Sequence, residues 1–279
     1  GDQDKTRILT TPDSAEIGAF KNIGQYEVIK SLGEGGMGMV LLGHDPDLDR
    51  PVAIKLIRRE LVANEDYLNR MMREARLSAR LNHPNIVSIY QIGRHEGVPY
   101  LVLEYIEGKS LQDILRTPPP ITVVRAMDIV IQCCEGLRAA AAKGIVHRDI
   151  KPANIMVRKD ETVKLMDFGL SKSVGGETLT ISTAVLGTPD YMAPEQAEAR
   201  PVDFRADIYA LGITLFQCCT GYLPFKASSV METLMKQSTE PLPDDPFLKS
   251  IARGRLWELI RHMTEKQPED RPNSYTVIK

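Results

Sequence analysis

Cysteine is scarce here, and what there is falls in no chemically useful spacing. The four residues form two adjacent pairs, Cys133-Cys134 and Cys218-Cys219, each in an apolar, helix-like stretch. Neither pair has the C-x-x-C spacing of a zinc or redox site, so reduced thiols packed in a cytosolic core are expected. Charge of one sign is also lacking: 35 Lys and Arg stand against 37 Asp and Glu, a formal net charge of -2. That balance supplies no basic field for nucleic acid. No run is long and apolar enough to cross a bilayer, no secretory signal is visible, and no internal repeat occurs. What remains, 279 residues that are 43% hydrophobic and 26% charged, suffices for one large domain or two lobes with separate cores.

Along the chain, residues 1–24 read as a flexible polar leader in which Thr10-Thr11-Pro12-Asp13-Ser14 is open to modification. From Tyr26 the pattern becomes strand-like. Tyr26-Glu27-Val28-Ile29-Lys30, Val40-Leu41-Leu42 and Val52-Ala53-Ile54-Lys55-Leu56 are predicted strands, with turn chemistry at Asp45-Pro46-Asp47. An amphipathic helix is predicted over about 64–81, with Tyr67, Met71, Ala75 and Leu81 toward the core. Two more strands follow at 86–92 and 99–105. After Gly108 the pattern turns helical: a short helix from Ser110, halted by Pro118-Pro119-Pro120, then a long one capped by Thr122 and ended at Gly144. Further helices are predicted at 206–219 and 256–263. This is an α+β arrangement, with an antiparallel sheet plus one major helix at about 25–105 and a mainly helical part at about 108–279.

Three motifs carry chemistry. Gly33-Glu34-Gly35-Gly36-Met37-Gly38-Met39-Val40 contains G-x-G-x-x-G. In dinucleotide folds such glycines open a helix; here strands flank them, so they make a hairpin whose backbone N–H groups can approach phosphate oxygens. The stretch His147-Arg148-Asp149-Ile150-Lys151-Pro152-Ala153-Asn154, followed by Asp167-Phe168-Gly169, gathers a candidate base, a cation and two hard-oxygen ligands. Those are the parts that move a phosphoryl group from ATP to a hydroxyl. Asp149 is the candidate base, Lys151 neutralises charge on the transferred group, and Asn154 and Asp167 ligate Mg²⁺, with Mn²⁺ as a substitute.

In order and spacing these motifs resemble the catalytic domain of eukaryotic-type protein Ser/Thr kinases over residues 26–278, and the glycine loop is most similar to bacterial members. The resemblance implies a two-lobed kinase fold at 25–279, with ATP and magnesium as cofactors and proteins as substrates. Lys55, in Pro51-Val52-Ala53-Ile54-Lys55, then meets the α and β phosphates and pairs with Glu74. Leu32, Gly33, Gly35, Gly38, Val40 and Ala53 surround the nucleotide. In Tyr100-Leu101-Val102-Leu103-Glu104-Tyr105-Ile106, Leu103 is the gatekeeper, and the backbones of Glu104 and Ile106 meet the adenine edge. Lys151 and Thr188, in Gly187-Thr188, point to Ser/Thr rather than Tyr as acceptor. Glu195 is expected to pair with Arg271, and Asp207 to hold the catalytic loop backbone. His44, His83, His95 and His262 are read as structural.

Regulation is expected between Asp167 and Gly187. Thr178, Thr180, Ser182 and Thr183 are candidates for autophosphorylation, with Arg148 capturing the phosphate and self-association allowing transfer in trans. A pseudokinase scaffold and a small-molecule kinase are the alternatives within the same resemblance. The chain opens on Gly1 and closes without a stop signal, so a membrane anchor or sensor is expected outside it, with this part cytoplasmic and in no contact with membrane. One residue departs from the family pattern. Ser78, one turn after Glu74, stands where many kinases place a larger apolar side chain. It is expected to loosen the helix, so that Ser78→Leu raises basal turnover.

Overall fold

Alternating apolar and polar residues in the first hundred positions build strands, and the longer apolar periods after Gly108 build helices. The computed structural model of the protein describes residues 21–35, 38–118, 120–168 and 189–278. Thr188, its neighbour Gly187, the hydroxyl run Thr178, Thr180, Ser182 and Thr183, and the leader before residue 21 lie outside the described residues. The chain forms two units, one of Gly1–Leu68 with Ile89–Tyr105, the other of Asn69–Ser88 with Ile106–Lys279.

The first unit is an antiparallel sheet of β1 (Asn22–Ile23), β2 (Tyr26–Gly35), β3 (Gly38–Asp45), β4 (Arg50–Ile57), β5 (Ile89–His95) and β6 (Val98–Glu104), with a short α1 (Arg59–Val62). Spatial order is β1-β2-β3-β4-β6-β5. The two-residue period sorts the side chains. Met39, Leu41, Val52, Ile54, Tyr100 and Val102 fill the core on one face. Residues between them turn to the other face, and register joins them in rows: Gly33–Val40–Lys55–Leu101 and Leu42–Ala53–Leu103. Gly38 has φ 148°, and a Cβ there would lie 1.8 Å from the Leu56 carbonyl oxygen, so no other residue fits.

Helix α2 (Glu65–Ser78) buries Tyr67, Leu68, Met71, Ala75 and Ser78 along one stripe. Its later turns and the segment to Ser88 belong to the second unit rather than to the sheet. The reason is local pairing. Asn85 accepts the Leu165 N–H at 2.9 Å through its carbonyl, its amide donates to the Val163 carbonyl at 2.9 Å, and Val87 N–H donates to Leu165. The strand expected at 86–92 therefore starts only at Ile89, because Ile86 bridges Leu165 and is 2% exposed in the helical core.

The second unit contains β7 (Gly108–Ser110), α3 (Leu111–Arg116), α4 (Val123–Ala141), β8 (Ile155–Arg158), β9 (Val163–Leu165) and α5 (Pro194–Ala197). It continues through α6 (Arg205–Thr220), α7 (Val230–Thr239), α8 (Pro246–Ser250) and α9 (Arg255–Met263). Ser110 and Thr122 cap their helices by accepting the N–H of Asp113 and Arg125 at 3.1 and 3.2 Å. Gly144, at φ 70°, lets the chain leave α4. Helix α6 is apolar nearly all round and is correspondingly encased. Strands β7, β8 and β9 form a separate small sheet that the sequence pattern did not reveal. All four cysteines are free thiols; Cys133, Cys134 and Cys218 are buried.

Candidate active site

A short hairpin places the second unit's chemical groups. Strands β8 and β9 pair Ile155 with Leu165, and one further bond, Met166 N–H to the Asn154 carbonyl at 2.9 Å, carries the ladder past the strand ends. Asn154 and the Met166-Asp167-Phe168 segment are thereby neighbours. Pro152–Asn154 is a single tight turn, which swings Asn154 back toward Asp149. The Asn154 amide nitrogen donates to Asp149 twice, at 2.8 Å to its carbonyl and at 2.9 Å to Oδ2. Lys151 Nζ is 3.0 Å from the same Oδ2. One carboxylate oxygen of Asp149 is thus held by two donors, while among the described residues none reaches Oδ1.

The backbone around this carboxylate is fastened from several directions. Asp207, 2% exposed at the start of α6, accepts the N–H groups of His147 and Arg148 at 2.8 and 2.7 Å. Burial pushes its carboxyl above the usual carboxylate range, against the opposing pull of His147, Arg148 and those two bonds. His147 Nε2 donates to the Met166 carbonyl at 2.7 Å, and its Nδ1 accepts the Asp149 N–H at 3.3 Å, which fixes the tautomer. The His147 ring packs against Phe168 with centroids 4.4 Å apart. Arg148 and Asp167 have φ of 66° and 58°, in the left-handed region that side chains disfavour.

Sequence reasoning missed Gln196. Its amide donates to the Arg148 carbonyl at 3.0 Å while its Oε1 accepts the Ala193 N–H at 3.2 Å, tying α5 to the residue before Asp149. No local pattern announces a bond that spans this much chain. Beside it, Glu195 and Arg271 form the expected pair, at 2.7 and 2.8 Å and almost wholly buried. Of the histidines read as structural, His83 accepts the Asn85 N–H at 3.1 Å.

In the first unit, Gly33, Val40, Ala53, Lys55 and Leu103 fall on the sheet face opposite the core. Lys55 is 6% exposed, whereas Leu32 is 42% exposed on β2. Gly35 pairs with Gly38 where β2 and β3 meet. Leu103 and Glu104 end β6. In the second unit, Ile106 is buried and Glu74 is half-buried in the third turn of α2.

The donor set suits a hard cation. With its nitrogen committed to Asp149, Asn154 leaves its amide oxygen to point elsewhere, and Asp167 adds a carboxylate. Among the described residues no group of three or more His, Cys, Asp and Glu side chains could hold a metal. Two protein oxygens fit Mg²⁺, which takes most of its shell from phosphates and water.

Comparison with known proteins gives the family and the fold. The family model described as "Protein kinase domain" matches residues 26–279. The serine/threonine-protein kinase PknB of Mycobacterium tuberculosis is 38% identical over 254 residues, covering 88% of this chain and 40% of that protein. Pkn3 of Myxococcus xanthus is 38% identical over 282 residues, covering 97% of this chain and 52% of its own. The chain therefore spans about two fifths to one half of the length of these curated relatives. The crystal structure of the Mycobacterium tuberculosis PknI kinase domain superposes with a TM-score of 0.72 at 27% identity, covering 91% of this chain and 93% of that one. With a family model matched over nearly its whole length and relatives 38% identical over most of it, the chain belongs to the protein kinase domain family, as a two-unit α+β member similar to bacterial serine/threonine-protein kinases.

Proposed function

We propose that this chain is a protein serine/threonine kinase that transfers the γ-phosphoryl group of ATP to Ser or Thr hydroxyls of proteins. The observation that carries the reading is the Asp149 carboxylate, with Oδ2 anchored by Lys151 and Asn154 and, among the described residues, no donor on Oδ1. Oδ1 accepts the proton of the incoming hydroxyl as its oxygen bonds to the γ-phosphorus and ADP departs with the bridging oxygen. The Lys151 ammonium offsets charge on the transferred group, and the doubly held Oδ2 keeps the base aligned, which matters more than basicity in a loose transition state. Asn154 and Asp167 would hold Mg²⁺, which supplies charge neutralisation on the phosphates.

Lys55 serves the α and β phosphates, with Glu74 as its partner. The backbone of Gly33, Gly35 and Gly38 approaches the phosphates. Leu32, Val40, Ala53 and Leu103 meet the adenine, whose edge bonds to the backbones of Glu104 and Ile106. Thr188 shapes the acceptor pocket. Self-phosphorylation at Thr178, Thr180, Ser182 or Thr183 provides control, in trans between copies. The Arg148 guanidinium would receive that phosphate; its side chain is exposed and makes no ion pair among the described residues. Free cysteines fit a reducing cytoplasmic setting, and among the described residues no helix is long and apolar enough to cross a membrane.

The test is transfer of labelled phosphate from ATP to a generic basic protein, wild type beside Asp149→Asn. Labelling of the protein by wild type and a fall of about 10²–10⁴-fold in the variant support the proposal. A scaffold labels nothing, and a small-molecule kinase labels only its small substrate. Mass spectrometry of the chain after ATP treatment reads the self-modified hydroxyls, and full activity with all four unmodified refutes that part.

A further inference from the structure

We propose that Ser78 is a positioning residue for Asp167, acting through a hydroxyl clasp on the carbonyl of Phe168. The inference deepens the reading of Asp167 as a metal ligand and rests on it. Asp167 sits in the left-handed region, φ 58°, where an aspartate stays only if its neighbours hold it there. On its N-terminal side Met166 is pinned twice, N–H to the Asn154 carbonyl at 2.9 Å and carbonyl to His147 Nε2 at 2.7 Å. On its C-terminal side the Phe168 ring lies on His147, and the Phe168 carbonyl accepts Ser78 Oγ at 3.3 Å. Three of these pins come from the catalytic loop and its strand. The fourth comes from the last turn of α2, a different part of the chain.

Ser78 is 6% exposed, on the same stripe as Met71 and Ala75. A buried hydroxyl is unfavourable there unless it is bonded, and an apolar side chain would carry no such cost. Its bond to Phe168 accounts for its presence. Once the Phe168 carbonyl is released, the backbone after Asp167 can turn, Asp167 can leave the left-handed region, and its carboxylate no longer faces the cation consistently. The clasp reverses the sign that the sequence pattern suggests for Ser78→Leu: that side chain brings no donor, so turnover at limiting Mg²⁺ falls.

The experiment compares wild type, Ser78→Ala, Ser78→Cys, Ser78→Thr and Ser78→Leu, with Asp167→Asn as a control on the underlying reading. Three quantities are read: free Mg²⁺ for half-maximal transfer at saturating ATP, Mn²⁺ binding with ADP by electron paramagnetic resonance, and the Tm of the chain without ligand. Loss of one buried hydrogen bond, about 1 kcal/mol, corresponds to about fivefold weaker metal binding. Ser78→Ala and Ser78→Cys should both show that fivefold shift in Mg²⁺ dependence and Mn²⁺ affinity, with kcat at saturating metal changed less than twofold. Ser78→Thr, which keeps the hydroxyl, should fall within twofold of wild type. Cysteine, close to serine in size but a poor donor, decides the matter if the alanine variant does not fold. Unchanged metal affinity in either variant, a loss confined to kcat and Tm, no rescue by a folded threonine variant, or higher turnover in Ser78→Leu would each overturn the clasp. If Asp167→Asn instead binds Mn²⁺ and transfers phosphate like wild type, the metal-ligand reading fails and not the clasp alone.

Discussion

Arg271 offers the sharpest test of how the helical unit holds its buried ion pair, because every one of its five N–H donors is in use. Nη1 donates to Glu195 at 2.7 Å and to the Arg205 carbonyl at 3.0 Å; Nη2 donates to Glu195 at 2.8 Å and to the Lys266 carbonyl at 3.0 Å; Nε donates to the Glu265 carbonyl at 2.7 Å. Its side chain is 0% exposed and that of Glu195 is 1%. Truncation to alanine strands a buried carboxylate, which costs about 3–5 kcal/mol by itself, and strips three carbonyls of a donor. At about 2–4 °C per kcal/mol for a unit of this size, Arg271→Ala should lower Tm by roughly 10–20 °C. Arg271→Lys keeps the charge but has three donors in place of five, so a loss of about 2–3 kcal/mol is expected. Removing both charges together, as Glu195→Leu with Arg271→Met, should cost less than Arg271→Ala, since no lone ion is left in the interior. Differential scanning calorimetry decides it. A lysine variant melting within about 2 °C of wild type, or a double variant worse than the single, would refute the argument.

Two other perturbations follow from the same geometry. Asp207→Asn retains one acceptor where the loop presents two N–H donors, so Arg148 should lose its left-handed backbone; kcat should fall about 10²-fold with KM for ATP nearly unchanged, measured by steady-state kinetics. Lys266 donates to the Gln237 carbonyl at 2.8 Å beside the Phe225 and Tyr209 rings, and burial first, with Arg271 second, pushes its ammonium down to about 8 from 10.5. Between those values the unfolded chain binds the extra proton, so the Lys266 contribution to stability rises with pH across that window. Subtracting the Lys266→Met denaturation profile from that of wild type isolates it, and a flat or falling difference would contradict the sign.

The contacts among the candidate site residues of one loop were legible in the sequence because those residues lie close along it. Asp149, Lys151 and Asn154 sit within one loop, and the hairpin of β8 and β9 needs only local pairing to bring Asp167 alongside. The cap Thr122 was equally plain, since a cap bonds to its own helix. The 86–92 stretch misled because a short apolar run does not say which core receives it. Ile86 went to the helical core and Ile89 to the sheet.

By itself, then, the order of residues determined most strands of the larger sheet, the long helices at 123–141 and 205–220, and which polar groups lie within one loop, all consequences of short-range spacing. Only the tertiary structure decided that Gln196 braces Arg148, that the Ser78 hydroxyl reaches Phe168, and that Arg271 spends all five donors. Those contacts join segments far apart in the chain, and a bond of that kind leaves no local period or spacing from which it could be read.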